Sequence, residues 1–360
     1  LGNIFRELGQ LEDAKSAYNR VLELAPGHAD TWVNVGVILR QLSNPEDALD
    51  KLKKAIELNP EHGDAYHNLG NTLAELKRFE EALDAYEMAT KLTPEGGMAP
   101  KSIARVQYDL GRKEDAIRTL QRWSYTNPED AAAKHLLAAY TGTDVPKQAS
   151  EEFVRQSFDN FSKSFDEVLT KLNYKAPKFV GELVVEKLTP LSEGYRILDI
   201  GCGTGLCGPL IKQLASTLVG VDLSPGMLVK AKERDVYDEL EEAELTQYMV
   251  DNKTSFDVVT CVDTLCYIGD LSAAIPAAYS ALDSGGWFFF TVEQHLTGEH
   301  EQGYWLQPHG RYSHNRAYLE ALLQGAGFVL DTMNDVVLRR EGPDEVSGLL
   351  VAAKKVDALE

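Results

Sequence analysis

The strongest chemical signal is a run of ten residues, Arg196-Ile197-Leu198-Asp199-Ile200-Gly201-Cys202-Gly203-Thr204-Gly205. An apolar stretch reads as a strand, ends in a carboxylate, and turns through glycines toward a helix. Glycine is required where a turn is tight and a ligand must approach the backbone. Asp222 ends the next apolar run, where a carboxylate can accept both hydroxyls of a ribose. Val221-Asp222-Leu223-Ser224-Pro225-Gly226-Met227-Leu228 then sets apolar side chains, a thioether among them, just past that acid, as a wall for a flat ring.

Two cofactor classes compete for such a loop. Gly203-Thr204-Gly205-Leu206-Cys207-Gly208 satisfies the GxGxxG pattern of a dinucleotide site. Asp199 argues against that reading, because it would repel a pyrophosphate. It suits instead the cationic amino group of S-adenosylmethionine, held directly or through water. Met227 beyond the ribose acid and a strand-like hairpin at the chain's end point the same way. With these blocks, "LDIGCGTG" and "VDLSPGML", the stretch 195–355 resembles the seven-stranded (class I) S-adenosylmethionine-dependent methyltransferases.

The resemblance implies roles residue by residue. Asp199, Gly201, Cys202 and Gly203 match the cofactor loop, Asp222 the ribose acid, and Leu223 and Met227 the adenine wall. Glu244-Leu245 fall on the third-strand loop, with Glu where the family usually has Asp, and Val262 and Asp263 end the fourth strand, facing the methyl group. The chain also looks like a bacterial group of such enzymes in which an "FDxxxxxFD" lead-in precedes the loop. Here that is Phe158-Asp159-Asn160-Phe161 and Phe165-Asp166, followed by Leu172-Asn173-Tyr174-Lys175-Ala176-Pro177. Phe165 and Tyr174 are thereby expected as cofactor or lid residues.

Methyl transfer is an in-line displacement from an activated donor, so the protein mainly orients and desolvates the acceptor. A base is needed only for a protonated acceptor. Asp263-Thr264-Leu265-Cys266-Tyr267 follows the fourth strand without a [DN]PP[YFW] tetrad, which argues against methylation of exocyclic amide or adenine nitrogens. Asp263 and Tyr267 are catalytic candidates there, although Tyr267 equally suits helix packing. After the fifth strand a long polar connection holds His295, His300 and the run Gly310-Arg311-Tyr312-Ser313-His314. Long connections are more often functional. It is read as an acceptor pocket, with His314 as base, Arg311 as anion or orienting contact, and Tyr312 and His295 as further contacts. The alternative is that Ser313 caps the next helix and His314 satisfies a backbone group. The histidines lack ligand spacing, and no metal is expected.

Strands are expected at 195–200, 217–222, 256–262 and 286–292, and helices at 206–215, 225–234, 271–283 and 315–326. This alternation predicts a Rossmann-like doubly wound α/β sheet. Phe328–Arg339 and Val346–Ala353 add the antiparallel C-terminal hairpin. Glu151–Leu172 reads as one amphipathic helix, either a packing helix or an aromatic lid.

The first part of the chain repeats. Pro26, Pro60, Pro94 and Pro128 recur at a spacing of 34, as do Ala14, Ala48, Ala82 and Ala116. Gly2, Gly36, Gly70 and Ala104 keep the register, as do the bulky Tyr18, Leu52, Tyr86 and Leu120. This resembles the tetratricopeptide repeat, in which paired helices stack into an all-α solenoid. The expected domains are 1–140 for four repeats, the first truncated; 141–194 for a linker and lid helices; and 195–356 for the methyltransferase. Asn34 and Asn68 share one slot on the face expected to be concave, Asn3 and Asn71 another. Their amides suit a peptide backbone, unless they are only the repeat's own consensus.

The chain has 360 residues, 44% of them hydrophobic, which excludes wholesale disorder. A net charge of −20 makes bare nucleic acid a poor partner. The acidic run Glu233–Glu244 reads as a solvated face or a lure for a basic protein. No apolar run is long enough to span a membrane. Cys202, Cys207, Cys261 and Cys266 form no CxxC pair, which suits a reducing cytosol and small buried residues lining a sheet. The chain enters in mid-repeat at Leu1 and reads as a piece of a longer protein. The expected function is methyl transfer from S-adenosylmethionine to a protein or peptide that the repeats recruit, directly or through a partner. The alternatives are a small-molecule or glycan O- or N-methyltransferase with repeats used for assembly, and a non-catalytic scaffold.

Overall fold

The computed structural model describes residues 1–7, 9–93, 98–189, 194–295, 302–341 and 344–356. The chain divides into two compact units, Leu1–Thr141 and Gly142–Glu360.

The first unit is helical: α1 (Gly2–Glu7), α2 (Leu11–Leu24), α3 (Ala29–Gln41), α4 (Pro45–Leu58), α5 (Gly63–Glu75), α6 (Phe79–Leu92), α7 (Met98–Asp109), α8 (Lys113–Thr126) and α9 (Ala131–Thr141). Consecutive helices pack on one another. The repeat's small residue permits this. A Cβ on Gly36 would lie 2.7 Å from Leu52 Cγ, and one on Gly70 2.6 Å from the Tyr86 ring. Ala14, Ala48, Ala82 and Ala116 are fully buried at the matching level of each second helix. Pro26, Pro60 and Pro128 follow the ends of α2, α4 and α8, where proline cannot extend a helix. Pro94 lies outside the described residues.

The second unit opens with α10 (Glu151–Phe161), α11 (Phe165–Lys171) and α12 (Ala176–Leu188). The single helix expected over Glu151–Leu172 is therefore broken. Ser162 turns back on the Asp159 carbonyl at 3.0 Å, a local bond that competes with helix continuation. Helix α12 falls in the stretch 141–194 expected to carry lid helices, and it packs on the sheet. Its Val180, Leu183, Val184 and Leu188 pack with Ile197, Leu218 and Val258 of the sheet.

The sheet holds β1 (Tyr195–Ile200), β2 (Ala215–Asp222), β3 (Glu239–Glu242), β4 (Phe256–Cys261), β5 (Leu282–Gln294), β6 (Tyr304–Leu306), β7 (Tyr312–His314), β8 (Phe328–Glu341) and β9 (Asp344–Lys355). The order is β3-β2-β1-β4-β5-β7-β6, with β9 antiparallel on β5 and β8 antiparallel on β9. Helices α13 (Gly208–Ile211), α14 (Pro225–Glu233), α15 (Leu245–Asp251), α16 (Ala274–Ala281) and α17 (Arg316–Ala326) complete the unit. Side chains alternate across a strand. Leu198 and Ile200 join the core that includes α16 and α17, and Ile197 joins the one that includes α12. A parallel strand buried on both faces favours apolar neighbours in sequence, as in Ile197-Leu198 of β1 and Val258-Val259 of β4. The strand order reverses between β1 and β4, so the crevice for a ligand lies at their carboxyl ends. Several expected bounds shift, among them that of β5, which runs from Leu282 to Gln294. The helix expected over 206–215 shrinks to α13 and a 3-10 turn, and β2 begins at Ala215. Among the described residues no helix is long and apolar enough to cross a membrane.

Candidate functional site

Three glycines carry the chain from β1 into the crevice in left-handed conformation: Gly201 (φ 69°), Gly203 (φ 56°) and Gly205 (φ 81°). The amides of Gly201 and Cys202 donate to the Val221 carbonyl at 2.7 and 3.0 Å, which ties the turn to β2. A Cβ on Gly201 would overlap the Thr264 side chain, whereas one on Gly203 would meet nothing within 4 Å. The first glycine is thus demanded by crowding, and the second leaves open space above a bare backbone. Asp222 spans the same turn: Oδ2 accepts from the Gly203 amide at 2.8 Å, and Oδ1 from the Ser224 amide at 2.9 Å. Burial pushes its carboxyl up, and these amides oppose the rise. Leu223 is half-buried, and Met227 is buried in the first turn of α14. An open cradle at Gly203 beside a fixed carboxylate fits a ribose with its adenosyl and aminoacyl arms.

Asp199 lies beneath this turn, 1% exposed. Its Oδ2 accepts from the Tyr237 hydroxyl at 2.7 Å and its Oδ1 from the Thr260 hydroxyl at 2.9 Å. Its carboxyl is pushed up to about 6, mainly by burial, against the two hydroxyls. Tyr237 was not foreseen. It falls in the acidic run expected to be a solvated face, yet its ring lies where Cβ atoms on Gly205, Gly208 and Gly220 would be.

The lead-in motif contributes its aspartates more than its aromatics. Asp159 Oδ1 accepts from the Ser224 hydroxyl at 2.5 Å and from the Gly226 amide at 3.2 Å, beside Ser224's own cap of α14 on the Met227 amide. Asp166 accepts from the Thr204 hydroxyl and from Arg234, whose Nε also donates to the Thr204 carbonyl. Phe158, Phe161 and Phe165 meet edge to face, and Phe158 meets Tyr267 likewise at 5.3 Å between ring centres. Phe165 thus stands in an aromatic cluster that includes Tyr267. Tyr174 faces the end of β4, where burial and Asp263 push its hydroxyl well above its ordinary value.

A buried charge network closes the ends of β4 and β5. Asp263 has φ 54° and donates its amide to Thr291 Oγ1 at 2.9 Å. Its Oδ2 accepts from Arg339 Nη1 at 2.8 Å. Arg339, on β8 and 4% exposed, also binds Glu293 through Nη2 and Glu341 through Nε. Arg311 donates to the same two glutamates at 2.5 Å each. Asp263, Cys266 and Glu293 bring potential metal-ligating atoms within 4.8 Å of one another. Both carboxylates already pair with Arg339, so the guanidinium is the cation of this cluster. Neither Glu293 nor Arg339 stood out in the sequence, because buried ion pairs across distant strands leave no local spacing to read.

Several expected roles are corrected. His314 is fully buried, its Nε2 2.9 Å from the Ile268 carbonyl and 3.1 Å from that of Gly269, and burial pushes it down to about 4. It satisfies backbone groups and does not stand free as a base. Arg311 is spent on Glu293 and Glu341 rather than offered to an anion. Tyr312 is buried and donates to the Pro146 carbonyl at 2.7 Å. His295 stacks on Trp305 at 5.8 Å, and its amide donates to the His314 carbonyl. The connection expected to be a loop contains β6 and β7, and His300 lies outside the described residues. Glu244 caps α15, accepting from the Gln247 amide at 2.8 Å, and Leu245 packs against the main core. Val262 is half-buried beside Asp263. In the first unit Asn71 accepts from the Tyr86 hydroxyl and Asn3 from that of Tyr18, which makes them internal fasteners. Asn34 accepts from Arg6, and Asn68 donates to the Asp64 carbonyl of its own helix.

Residues 171–332 match the model of a methyltransferase domain, and residues 1–28 and 27–95 match models of the tetratricopeptide repeat. A ubiquinone biosynthesis O-methyltransferase of Paracidovorax citrulli is 30% identical over 113 residues, covering 30% of this chain and 47% of the relative. The chain therefore spans about half the length of the curated relatives it matches. An S-adenosylmethionine-dependent methyltransferase from Mesorhizobium loti aligns with a TM-score of 0.40 at 23% identity, covering 49% of this chain and 97% of the other. The 1,6-didemethyltoxoflavin-N1-methyltransferase of Burkholderia thailandensis, solved with S-adenosylhomocysteine, gives 0.47 at 18% identity, covering 60% and 94%.

Proposed function

We propose that this chain, which carries tetratricopeptide repeats ahead of a methyltransferase domain, transfers the methyl group of S-adenosylmethionine. The observation that carries the reading is Asp222, fixed by the Gly203 and Ser224 amides beside the open space at Gly203. Asp222 receives the ribose hydroxyls, Gly203 admits the ligand to the backbone, and Leu223 and Met227 flank the adenine. Asp199 acts on the amino group from below, through its field and its remaining lone pairs. When bound, the sulfonium supplies an activated methyl group. This chain's own contribution is to bind, orient and exclude water, with α10 and α11 covering both loops.

The finer reading is that the repeats recruit a protein or peptide, as substrate or as partner. A second reading, a small-molecule hydroxyl acceptor, is favoured by the relatives named for ubiquinone biosynthesis. The four free, buried cysteines support a reducing compartment, the cytosol. Calorimetric titration with S-adenosylmethionine, S-adenosylhomocysteine and NAD tests the cofactor. Micromolar binding of the first two and none of NAD is expected, and the reverse would overturn the reading. Tritiated methyl transfer to a lysate, split by size, then tests the acceptor. Label in the protein fraction supports recruitment by the repeats, and label confined to small molecules supports the second reading.

A further inference from the structure

Between the turn that joins α10 to α11 and the carboxyl-terminal end of α14 lies a cavity of about 300 Å³, lined by Ser162, Lys163, Asp166, Lys230, Glu233 and Arg234. Pockets for small ligands begin at about this size. The lining includes neither the glycine turn nor Asp222.

Three cations stand there against two carboxylates, in a chain whose net charge is −20. Both carboxylates are already satisfied. Glu233 accepts from Lys230 Nζ at 2.9 and 3.1 Å. Asp166 accepts from the Thr204 hydroxyl and from Arg234 Nη2. The cations are not. Arg234 spends Nε on the Thr204 carbonyl and Nη2 on Asp166, which fixes the plane of its guanidinium, yet its Nη1 has no hydrogen-bond partner among the described residues. Lys163 is exposed and forms no ion pair among the described residues. One unit of positive charge is left over, and its donors come from two elements. Lys163 stands on the turn after α10, and Arg234 directly follows α14. A guanidinium edge and an ammonium on one cavity are the donors that hold phosphate oxygens. A tetrahedral group presents oxygens in diverging directions and reaches both walls, whereas a planar carboxylate presents its two to one side.

We propose that this cavity binds a phosphate group, as the free ion or on a small ester, and that the bound group clamps the turn between α10 and α11 onto α14; its effect on the cofactor rests on the methyltransferase reading above. Asp159 and Asp166 already tie the two helices to Ser224, Gly226 and Thr204. The anion adds a bridge to that same closed arrangement. Its donors meet only when the helices are closed, so binding favours closure. By linkage, a cofactor held beneath α10 and α11 then binds more tightly when phosphate is present, and phosphate more tightly when the cofactor is.

Inorganic phosphate is the probe, with potassium chloride at equal ionic strength as the reference, so that screening is matched. Phosphate should tighten S-adenosylhomocysteine binding by about fivefold, the lower end of the usual coupling between two sites. Lys163→Ala should abolish that gain without changing the affinity in chloride, and Lys163→Arg should keep it. Equal affinity in both salts, or a gain that survives Lys163→Ala, would overturn the proposal. Glycerol phosphate in a parallel arm separates the two sources. Action at lower concentration than inorganic phosphate assigns the site to an ester, and equal action assigns it to the free ion. Cleavage by chymotrypsin after Phe161, at the end of α10, reads the clamp without the cofactor. Phosphate should slow this cut in wild-type protein and not in Lys163→Ala. If S-adenosylhomocysteine binds in neither salt while phosphate still protects, the cofactor reading falls and the anion site stands. Cleavage at one rate in both salts overturns the site itself.

Discussion

The Tyr237 hydroxyl donates to Asp199 Oδ2 across 2.7 Å, from a ring seated where three glycines leave room. One residue thus braces the turn from below and holds the carboxylate proposed to act on the cofactor's ammonium. Burial and Asp222 raise the Asp199 carboxyl, whereas Tyr237 and Thr260 lower it, giving about 6. Cys202, Cys207 and Cys261 also face it, and burial keeps their thiols neutral. Affinity for S-adenosylhomocysteine should therefore fall as pH drops through 6. Tyr237→Phe keeps the ring, removes the hydroxyl and raises the Asp199 carboxyl further. If the shift is one unit, affinity should fall about fivefold at pH 6 and hardly change at pH 8. A loss of equal size at both pH values would mean that the ring alone matters.

Asp222→Ala removes the proposed ribose acceptor and the hydrogen bonds from the Gly203 and Ser224 amides. Calorimetry should show S-adenosylhomocysteine binding weakened by roughly a hundredfold, in line with loss of hydrogen bonds to a charged group. Unchanged affinity would show that the ribose lies elsewhere.

Asp159→Ala removes the acceptor of the Ser224 hydroxyl and the Gly226 amide at the start of α14, a loss of about 1 kcal/mol, and Asp166→Ala removes the acceptor of the Thr204 hydroxyl and one partner of Arg234. Each variant should bind S-adenosylhomocysteine severalfold more weakly. Limited proteolysis should cut faster between α10 and α11. Cleavage at the wild-type rate would show that the aspartates do not hold these helices down.

His314 separates stability from chemistry. Its folded value is about 4 against an ordinary 6.5, so its contribution is present above 6.5 and lost as pH falls toward 4. The loss reaches about 3 kcal/mol for a fully buried imidazole. Asp199 works in the opposite sense over the same range, because its raised carboxyl favours the folded state on acidification. His314→Gln keeps an N–H donor for the Ile268 carbonyl and should lose less stability between pH 6.5 and 4.5 in denaturant titrations. S-adenosylhomocysteine affinity at pH 7.5 should not change. A variant as acid-sensitive as the wild type would place the titration elsewhere.

Local signals made much of the molecule legible. Gly36 beneath Leu52 and Gly70 beneath Tyr86 follow from a repeat spacing that any stacked helical pair imposes. The turn from Asp199 to Gly205 and the acid at 222 also read correctly as one unit, because a strand, a tight turn and a helix start fix neighbours in order. Reading failed where partners were distant. Arg339 reaches Asp263 from β8, and Tyr237 reaches Asp199 from a stretch that looks solvated. His314 and Arg311 misled because a buried imidazole bonded to backbone and a guanidinium bonded to glutamates have the same residue types as a base and an anion clamp. Composition cannot separate those environments; only burial and partners do.

The latches made by Asp159 and Asp166 also set an order of events during synthesis. Their partners Ser224, Thr204 and Arg234 lie 65, 38 and 68 residues further along the chain. Helices α10 and α11 therefore leave the ribosome well before the loops that fasten them exist. Until Arg234 has emerged, these latches are incomplete, and the proposed cofactor site can be completed only after β2 and α14 are in place.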